Sequence, residues 1–148
     1  FWTASTPTWN ADPDNPNIVR NRPPPSYGST LGGFDRLRAY PSGRFHDKSA
    51  VAYTGELRLI PQTQPLRDLP LLNYFEIDWW QLAPFLEAGR VAPDYDSDLF
   101  FKDLKWSAGI GLRVMAFRTP LRLDFAVSEE GSSVWAMIGQ PFGRQGSR

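Results

Sequence analysis

The chain reads as an all-β protein, an antiparallel β-meander of five strands behind a long leading loop. Three observations predict this. Apolar residues recur at every second position over several stretches of eight to thirteen residues. The 12 glycines and 14 prolines in 148 residues are about one and a half times an ordinary load, which suits many turns and opposes a helical bundle. Short turn-forming clusters separate the alternating stretches, and tight links force neighbouring strands to run antiparallel.

The first strand is expected at Val51–Ile60, where Val51, Tyr53, Leu57 and Leu59 oppose Ala52, Thr54, Glu56 and Arg58. A second, at about Trp79–Val91, is less regular and is expected to be interrupted by Pro84. The third, Lys105–Phe117, gives the clearest signal. Its even positions are Trp106, Ala108, Ile110, Leu112, Val114 and Ala116, all apolar. Leu121–Ser128 repeats the pattern with Leu121, Leu123, Phe125 and Val127 on one face. Ser133–Phe142 closes the set with Val134, Ala136, Ile138 and Phe142. Arg118-Thr119-Pro120 and Glu129-Glu130-Gly131-Ser132 supply the two tight links. Pro61–Glu76 is longer, and its Leu69-Pro70-Leu71-Leu72 is read as a short helix or a packing segment. Residues 1–48 keep no period for long and form a separate region, a proline-rich extended loop. Its rings (Trp2, Trp9, Tyr27, Phe34, Tyr40, Phe45 among them) are too many for a disordered linker and imply a loop lying against something. Residues 49–148 carry the strands.

Composition excludes several function classes. Sixteen basic and sixteen acidic residues leave no net charge, which removes the usual electrostatic case for nucleic acid. Without cysteine there is no thiol catalysis, disulfide or Cys-ligated metal, and one histidine excludes multi-His zinc sites. Asp94, Asp96, Asp98 and Asp103 are spaced like the start of a calcium loop. Leu99 stands where that loop needs Gly and Lys105 where it needs Glu, so no metal is assigned. His46 beside Asp47 forms no triad, and Trp79-Trp80 suits packing better than ligand stacking. No stretch is long and apolar enough for a membrane-spanning helix, and no signal peptide is read at Phe1. No enzymatic activity and no cofactor are expected.

Alternation alone fits a half-buried strand of a soluble sandwich. Two features favour a membrane barrel instead. Strands of nine to twelve residues match a tilted bilayer crossing, against about five or six for soluble strands. The less apolar faces carry charges and glycines (Glu56, Arg58, Lys105, Arg113, Arg122, Asp124), as a polar lumen would. Five strands cannot close a lumen, so the reading requires a larger barrel or other copies of the chain.

Several segments resemble the BamA/TamA-type outer-membrane assembly factors. Leu31-Gly32-Gly33-Phe34-Asp35-Arg36-Leu37-Arg38-Ala39-Tyr40 is similar to that superfamily's lid-loop segment, whose tip reads Val/Leu-Arg-Gly-Phe/Tyr. Here the tip is Leu37-Arg38-Ala39-Tyr40, with Ala for Gly. Gly55-Glu56-Leu57-Arg58 resembles its Gly-x-Glu element, and Phe85-Leu86-Glu87-Ala88-Gly89 its Phe-x-Asp-x-Gly element with Glu for Asp. Gly109-Ile110-Gly111-Leu112-Arg113 and Pro120-Leu121-Arg122-Leu123-Asp124 follow in order, and Gly139-Gln140-Pro141-Phe142 resembles the Gly-x-x-Phe end. The resemblance implies the lid loop plus the last five strands of a transmembrane β-barrel in the bacterial outer membrane. It implies insertion or translocation of unfolded outer-membrane clients, with membrane lipid and the rest of a barrel, or further copies, as partners. It also implies that Arg38 pairs inside the barrel with Glu56 and Glu87. Ala39 is expected to be strained if the tip needs a positive φ there. Rival readings are a barrel that anchors or exports a passenger domain, and a soluble β-rich binding domain.

Overall fold

The computed structural model describes residues 1–6, 23, 26–61, 77–116 and 118–139. Its main sheet holds β1 (Trp2–Ser5), β4 (Ser49–Glu56), β5 (Ile77–Ala92), β6 (Lys105–Ala116), β7 (Thr119–Ser128) and β8 (Gly131–Ile138), antiparallel throughout in the order β1-β4-β5-β6-β7-β8. A separate hairpin pairs β2 (Ser29–Leu31) with β3 (Phe45–Asp47), and one helix, α1 (Ser97–Phe101), sits between β5 and β6. The fold is therefore mostly antiparallel β-sheet. Among the described residues the sheet is open, with β1 and β8 at its edges.

The five expected strands form the contiguous meander β4 to β8, with shifted ends. Leu57 and Leu59 leave the β4 ladder but still bond to the carbonyls of Pro84 and Leu82 at 3.0 and 2.8 Å. Pro84 does not interrupt β5, which runs through sixteen residues. Its carbonyl accepts the Leu57 N–H, and the same register resumes at the Leu59–Leu82 bridge, so the proline loses one bond toward Leu57 while the ladder with β6 runs on. The reading of residues 1–48 as loop alone is corrected. It holds three strands of three or four residues, too short for alternation to register in a sequence window. The segment 62–76, with Leu69–Leu72, and Phe142 at the expected end of the last strand lie outside the described residues.

Side-chain parity sorts the sheet into two unlike faces. In β7 the exposed positions are Leu123, Phe125 and Val127, while Asp124 and Ala126 are fully buried. In β5, Leu86 is 61% exposed and its neighbour Glu87 is 1% exposed. Register carries the same parity across the strands. Pro84, Ile110, Phe125 and Val134 form one outward row, and Leu82, Leu112, Leu123 and Ala136 the next. Five such rows, from Ala88 and Trp106 to Trp80, Val114, Leu121 and Ile138, contain no charged residue. The inward face holds Glu56, Glu87, Arg113, Arg122 and Asp124. A water-soluble sheet normally buries the apolar face and exposes the polar one; here the polarity is inverted.

The inward face is covered by the segment between β2 and β3. Leu31, Leu37 and Tyr40 pack there against Ala50, Ala52, Phe85 and Ala126. A smaller cluster lies on the opposite face, where Leu99 of α1 meets Val51 and Ala92.

Close approach depends on glycines at chosen points. A Cβ on Gly109 would collide with the Phe125 carbonyl and the Phe85 ring, and one on Gly111 would stand 2.6 Å from an Asp124 carboxylate oxygen. Gly109→Ala is therefore expected to lower unfolding stability by about 1–3 kcal/mol. Gly55→Ala, whose added methyl meets nothing closer than 3.9 Å, should stay within about 0.5 kcal/mol. Equal midpoints for the two variants in denaturant titrations would contradict this packing.

Candidate functional site

The β2–β3 hairpin presents residues 32–44 as a folded tip. Gly32 and Gly33 take φ values of 103° and 111°, a region open to glycine but hostile to a Cβ. The Gly33 N–H donates to the Tyr40 carbonyl at 3.0 Å, and the Arg44 N–H to the Pro41 carbonyl at 3.1 Å. Leu37 is left-handed at φ 53°, and the Tyr40 N–H closes a turn onto its carbonyl at 3.0 Å. The positive φ that would strain Ala39 is not found at that residue; it falls two positions earlier, on Leu37. Burial compensates. Leu37 is 1% exposed and, with Leu31, occupies the space that a side chain at Gly89 would need: a Cβ there would lie 3.1 Å from Leu31 and 3.4 Å from Leu37. Tyr40 is completely buried and meets Phe45 edge-on at 4.9 Å between ring centres.

Arg38 stands at the turn, its side chain 5% exposed. Its Nε donates to Glu87 Oε1 at 3.0 Å and its backbone N–H to Glu87 Oε2 at 2.8 Å. Nη1 reaches Asp124 Oδ2 at 3.0 Å and Nη2 reaches Glu56 Oε2 at 3.2 Å. The guanidinium carbon lies 3.8 Å from the centre of the Phe85 ring. This ring rests over Gly109, its register partner, so the glycine supplies room for an aromatic floor under the cation. The planar fork of five donors suits such an arrangement; a lysine ammonium would not reproduce it.

Every strand of the meander contributes a contact. Glu56 comes from β4, Glu87 from β5 and Asp124 from β7. From β6, Ser107 Oγ accepts the Ala39 N–H at 3.1 Å. From β8, the Arg38 carbonyl accepts the Trp135 indole N–H at 2.7 Å and the Ser133 hydroxyl. Register explains the convergence. Phe85, Gly109, Ala126 and Ser133 form one inward row with Glu56 at its other end; Glu87 and Ser107 lie one row above, Asp124 and Trp135 one row below.

The carboxylates have their own counter-charges. Arg113 binds both oxygens of Glu56 at 2.9 Å. Arg122 donates to Asp124 Oδ2 through Nε at 3.0 Å and Nη2 at 2.5 Å. Three guanidiniums thus face three carboxylates, with Arg58 on the exposed side of Glu56. Arg122 also stacks on Phe34 of the loop, 4.1 Å from the ring centre, and Phe34 meets Trp135 edge-on. A cavity of about 400 Å³ opens beside the cluster, lined in part by Trp79, Arg113, Arg122 and Met137.

The structure brings Leu37, Arg38, Ala39, Tyr40, Glu56, Glu87 and Gly89 together as one site. Gly139 ends β8 at φ 91° beside the cavity, apart from the Arg38 cluster, and Phe142 lies outside the described residues. Asp124, Ser107, Ser133, Trp135 and the Phe85 floor were not expected as partners. Asp124 shared its motif with Arg122, but only register shows that it meets Arg38. Among the described residues no group of three or more His, Asp or Glu is placed to hold a metal. Asp96 instead caps α1 by accepting the Leu99 N–H at 3.1 Å, and Asp98 pairs with Lys102. His46 lies in β3 opposite Thr30. No family model, curated protein or solved structure matches the chain.

Arg38→Ala strands Glu87 in a buried setting, leaves Asp124 to Arg122 alone, and is expected to cost about 3–5 kcal/mol of unfolding stability. Arg44→Ala breaks a half-exposed pair with Glu130 and should cost at most about 1 kcal/mol. Trp135→Phe removes one donor from the Arg38 carbonyl. Its expected cost is about 0.5–1.5 kcal/mol, with faster amide hydrogen exchange in β8 and unchanged exchange in β4. Uniform exchange across the sheet would contradict a local hold on β8.

Proposed function

We propose that the chain is wall and lid of a transmembrane β-barrel in the bacterial outer membrane, acting in insertion or translocation of other outer-membrane proteins. The inverted sheet is the observation that carries the reading. Its outward rows are apolar and charge-free for about 26 Å along β6, the eight steps from Trp106 to Val114 at about 3.3 Å each. At the tilt of about 35–45° of barrel strands this spans about 20 Å of membrane depth, most of the roughly 25 Å apolar band of outer-membrane barrels. Leu123 and Phe125 at about half exposure, Val134 at 69% and Ile138 at 79% form a contiguous apolar surface of the kind that soluble monomers rarely present. The opposite face, where a lumen would be, carries the charge network and the pinned loop.

Assembly activity is argued from the lid. The motifs of the loop tip and of its strand partners resemble those of the BamA/TamA-type factors. Arg38, Glu56 and Glu87 meet in the structure as that resemblance implies, with Asp124 as a further partner. In this reading membrane lipid covers the outward face, further strands complete the barrel, and unfolded outer-membrane proteins are the clients. The mechanism is non-covalent: a loop held inside the wall controls which inner surface and which strand edge a client meets.

Two measurements test the reading. Phe125→Arg places a charge in the middle of the outward rows. In lipid it should cost about 2–4 kcal/mol, whereas at a water-exposed site such a change stays near 0.5 kcal/mol or less. A chain that is monodisperse in buffer without detergent and indifferent to Phe125→Arg is not a membrane wall. For the activity, Arg38→Ala in the intact protein should slow folding of a client barrel in proteoliposomes and expose the loop to protease. Unchanged rate with unchanged protease sensitivity removes the lid from the mechanism.

A further inference from the structure

The outward face carries one feature that a plain lipid-facing wall does not require. At the end of the sheet nearest the loop, α1 lies across it, fastened by three kinds of contact. Leu99 is fully buried against Val51 and Ala92. Tyr53 donates its hydroxyl to the Phe100 carbonyl at 3.2 Å. Arg90 Nη1 donates to the carbonyls of Asp98 and Lys102 at 2.9 and 2.8 Å, the second of them a group that the helix end leaves open. A five-residue helix held this firmly displays its remaining side chains in fixed positions.

Two of those side chains, Phe100 and the exposed Phe101, are aromatic, and Phe1 and Tyr95 from outside the helix gather on them. Phe1 packs on Tyr53 at 5.3 Å between ring centres and lies 6.3 Å from Phe100; Tyr95 meets Phe100 edge-on at 5.5 Å, and Phe101 adjoins it at 6.3 Å. Phe101 is 80% exposed, Phe1 74% and Tyr95 51%. Their place relative to the charge-free rows decides what covers them. Tyr53 pairs with Ala88 and Ala88 with Trp106, the outermost such row. The next outward position along β5 is Arg90, and Asp96, Asp98, Lys102 and Asp103 follow on and around α1. The rings therefore straddle the step from an uncharged surface to a charged one.

We propose that α1 and its rings form a foot seated at the headgroup level of a lipid leaflet, fixing how deep the loop end of the sheet sits. The occupant is the boundary between acyl chains and headgroups, where aromatic side chains flanked by charge are favoured. The patch is continuous with the lipid-facing rows, and the inference rests on the membrane reading of those rows. A purely apolar partner would strip water from the paired charges around α1, whereas a headgroup layer keeps them hydrated.

The chain has no cysteine, so single labels can be placed at will. Phe101→Cys and Ile110→Cys, each carrying a small fluorophore, are compared in phosphatidylcholine vesicles doped with a nitroxide at the headgroup or in mid-chain. Both positions are exposed, so neither change empties a core. The Phe101→Cys label should be quenched severalfold more by the headgroup nitroxide, and the Ile110→Cys label by the mid-chain one. If Ile110→Cys behaves so and Phe101→Cys is quenched by neither, the foot is overturned while the wall stands. Efficient disulfide linkage of unlabelled Phe101→Cys between copies in those vesicles would likewise replace lipid by a second copy. If neither label is quenched, the membrane reading fails and the foot fails with it.

Discussion

The fold turns on one buried guanidinium. Arg38 enters the inward face with only 5% of its side chain exposed, so its charge must be met there or it would not enter. Glu87 and Asp124 meet it, and both are almost wholly buried themselves. Their charge in turn calls for more cations than one, which Arg113 and Arg122 provide with Glu56 completing the count. Equal numbers of opposite charges remove the electrostatic objection to burying the set. The gain over an apolar core of the same volume is still small, because desolvating ions consumes most of their attraction. What such a network supplies is direction. Each guanidinium accepts only a few geometries, and a carboxylate moved by one residue along its strand would point to the other face.

That dependence reaches into the backbone. Gly111 leaves room for the Asp124 carboxylate, Gly109 for the Phe85 ring under Arg38, and Gly89 for Leu31 and Leu37 beside it. These glycines lie on the inward face because the network and the loop are there. The loop accepts strain as well: Leu37 holds a left-handed backbone that is offset by its burial and by the turn bond from Tyr40. Contacts to the Arg38 carbonyl from Ser133 and Trp135 draw the edge strand β8 into the same assembly. One loop tip thereby touches all five strands of the meander, including β8, at the edge of the sheet among the described residues.

Placing the polar groups on the covered face leaves the apolar ones outside. Rows such as Leu82, Leu112, Leu123 and Ala136 have no layer of this chain over them among the described residues, apart from α1 at one end. The two faces are consequences of one choice of parity. It is why a functional reading built on a lumen and a lipid surface, rather than on a soluble sandwich, accounts for both together.

Much of this is legible in the sequence. Alternation in Lys105–Phe117 and Leu121–Ser128 is a property of the chain alone, since a two-residue period follows from strand geometry whatever the neighbours are. Strand existence, antiparallel order and the pairing of Arg38 with Glu56 and Glu87 were read from it, the last through resemblance of motifs. The sequence marks Pro84 as a break, yet its nitrogen lies on the Leu57 side, where one bond is lost and the next pair, Leu59 with Leu82, still forms, while the β6 side pairs throughout. The strands β1, β2 and β3 were hidden because three or four residues do not establish a period. Asp124, Ser107, Ser133 and Trp135 as partners of one loop tip could be seen only in the folded sheet. Sequence sets which side chains share a face of a strand; register between strands sets which of them stand side by side. The second is a tertiary property, decided here by whether three carboxylates and five strands could close around one arginine.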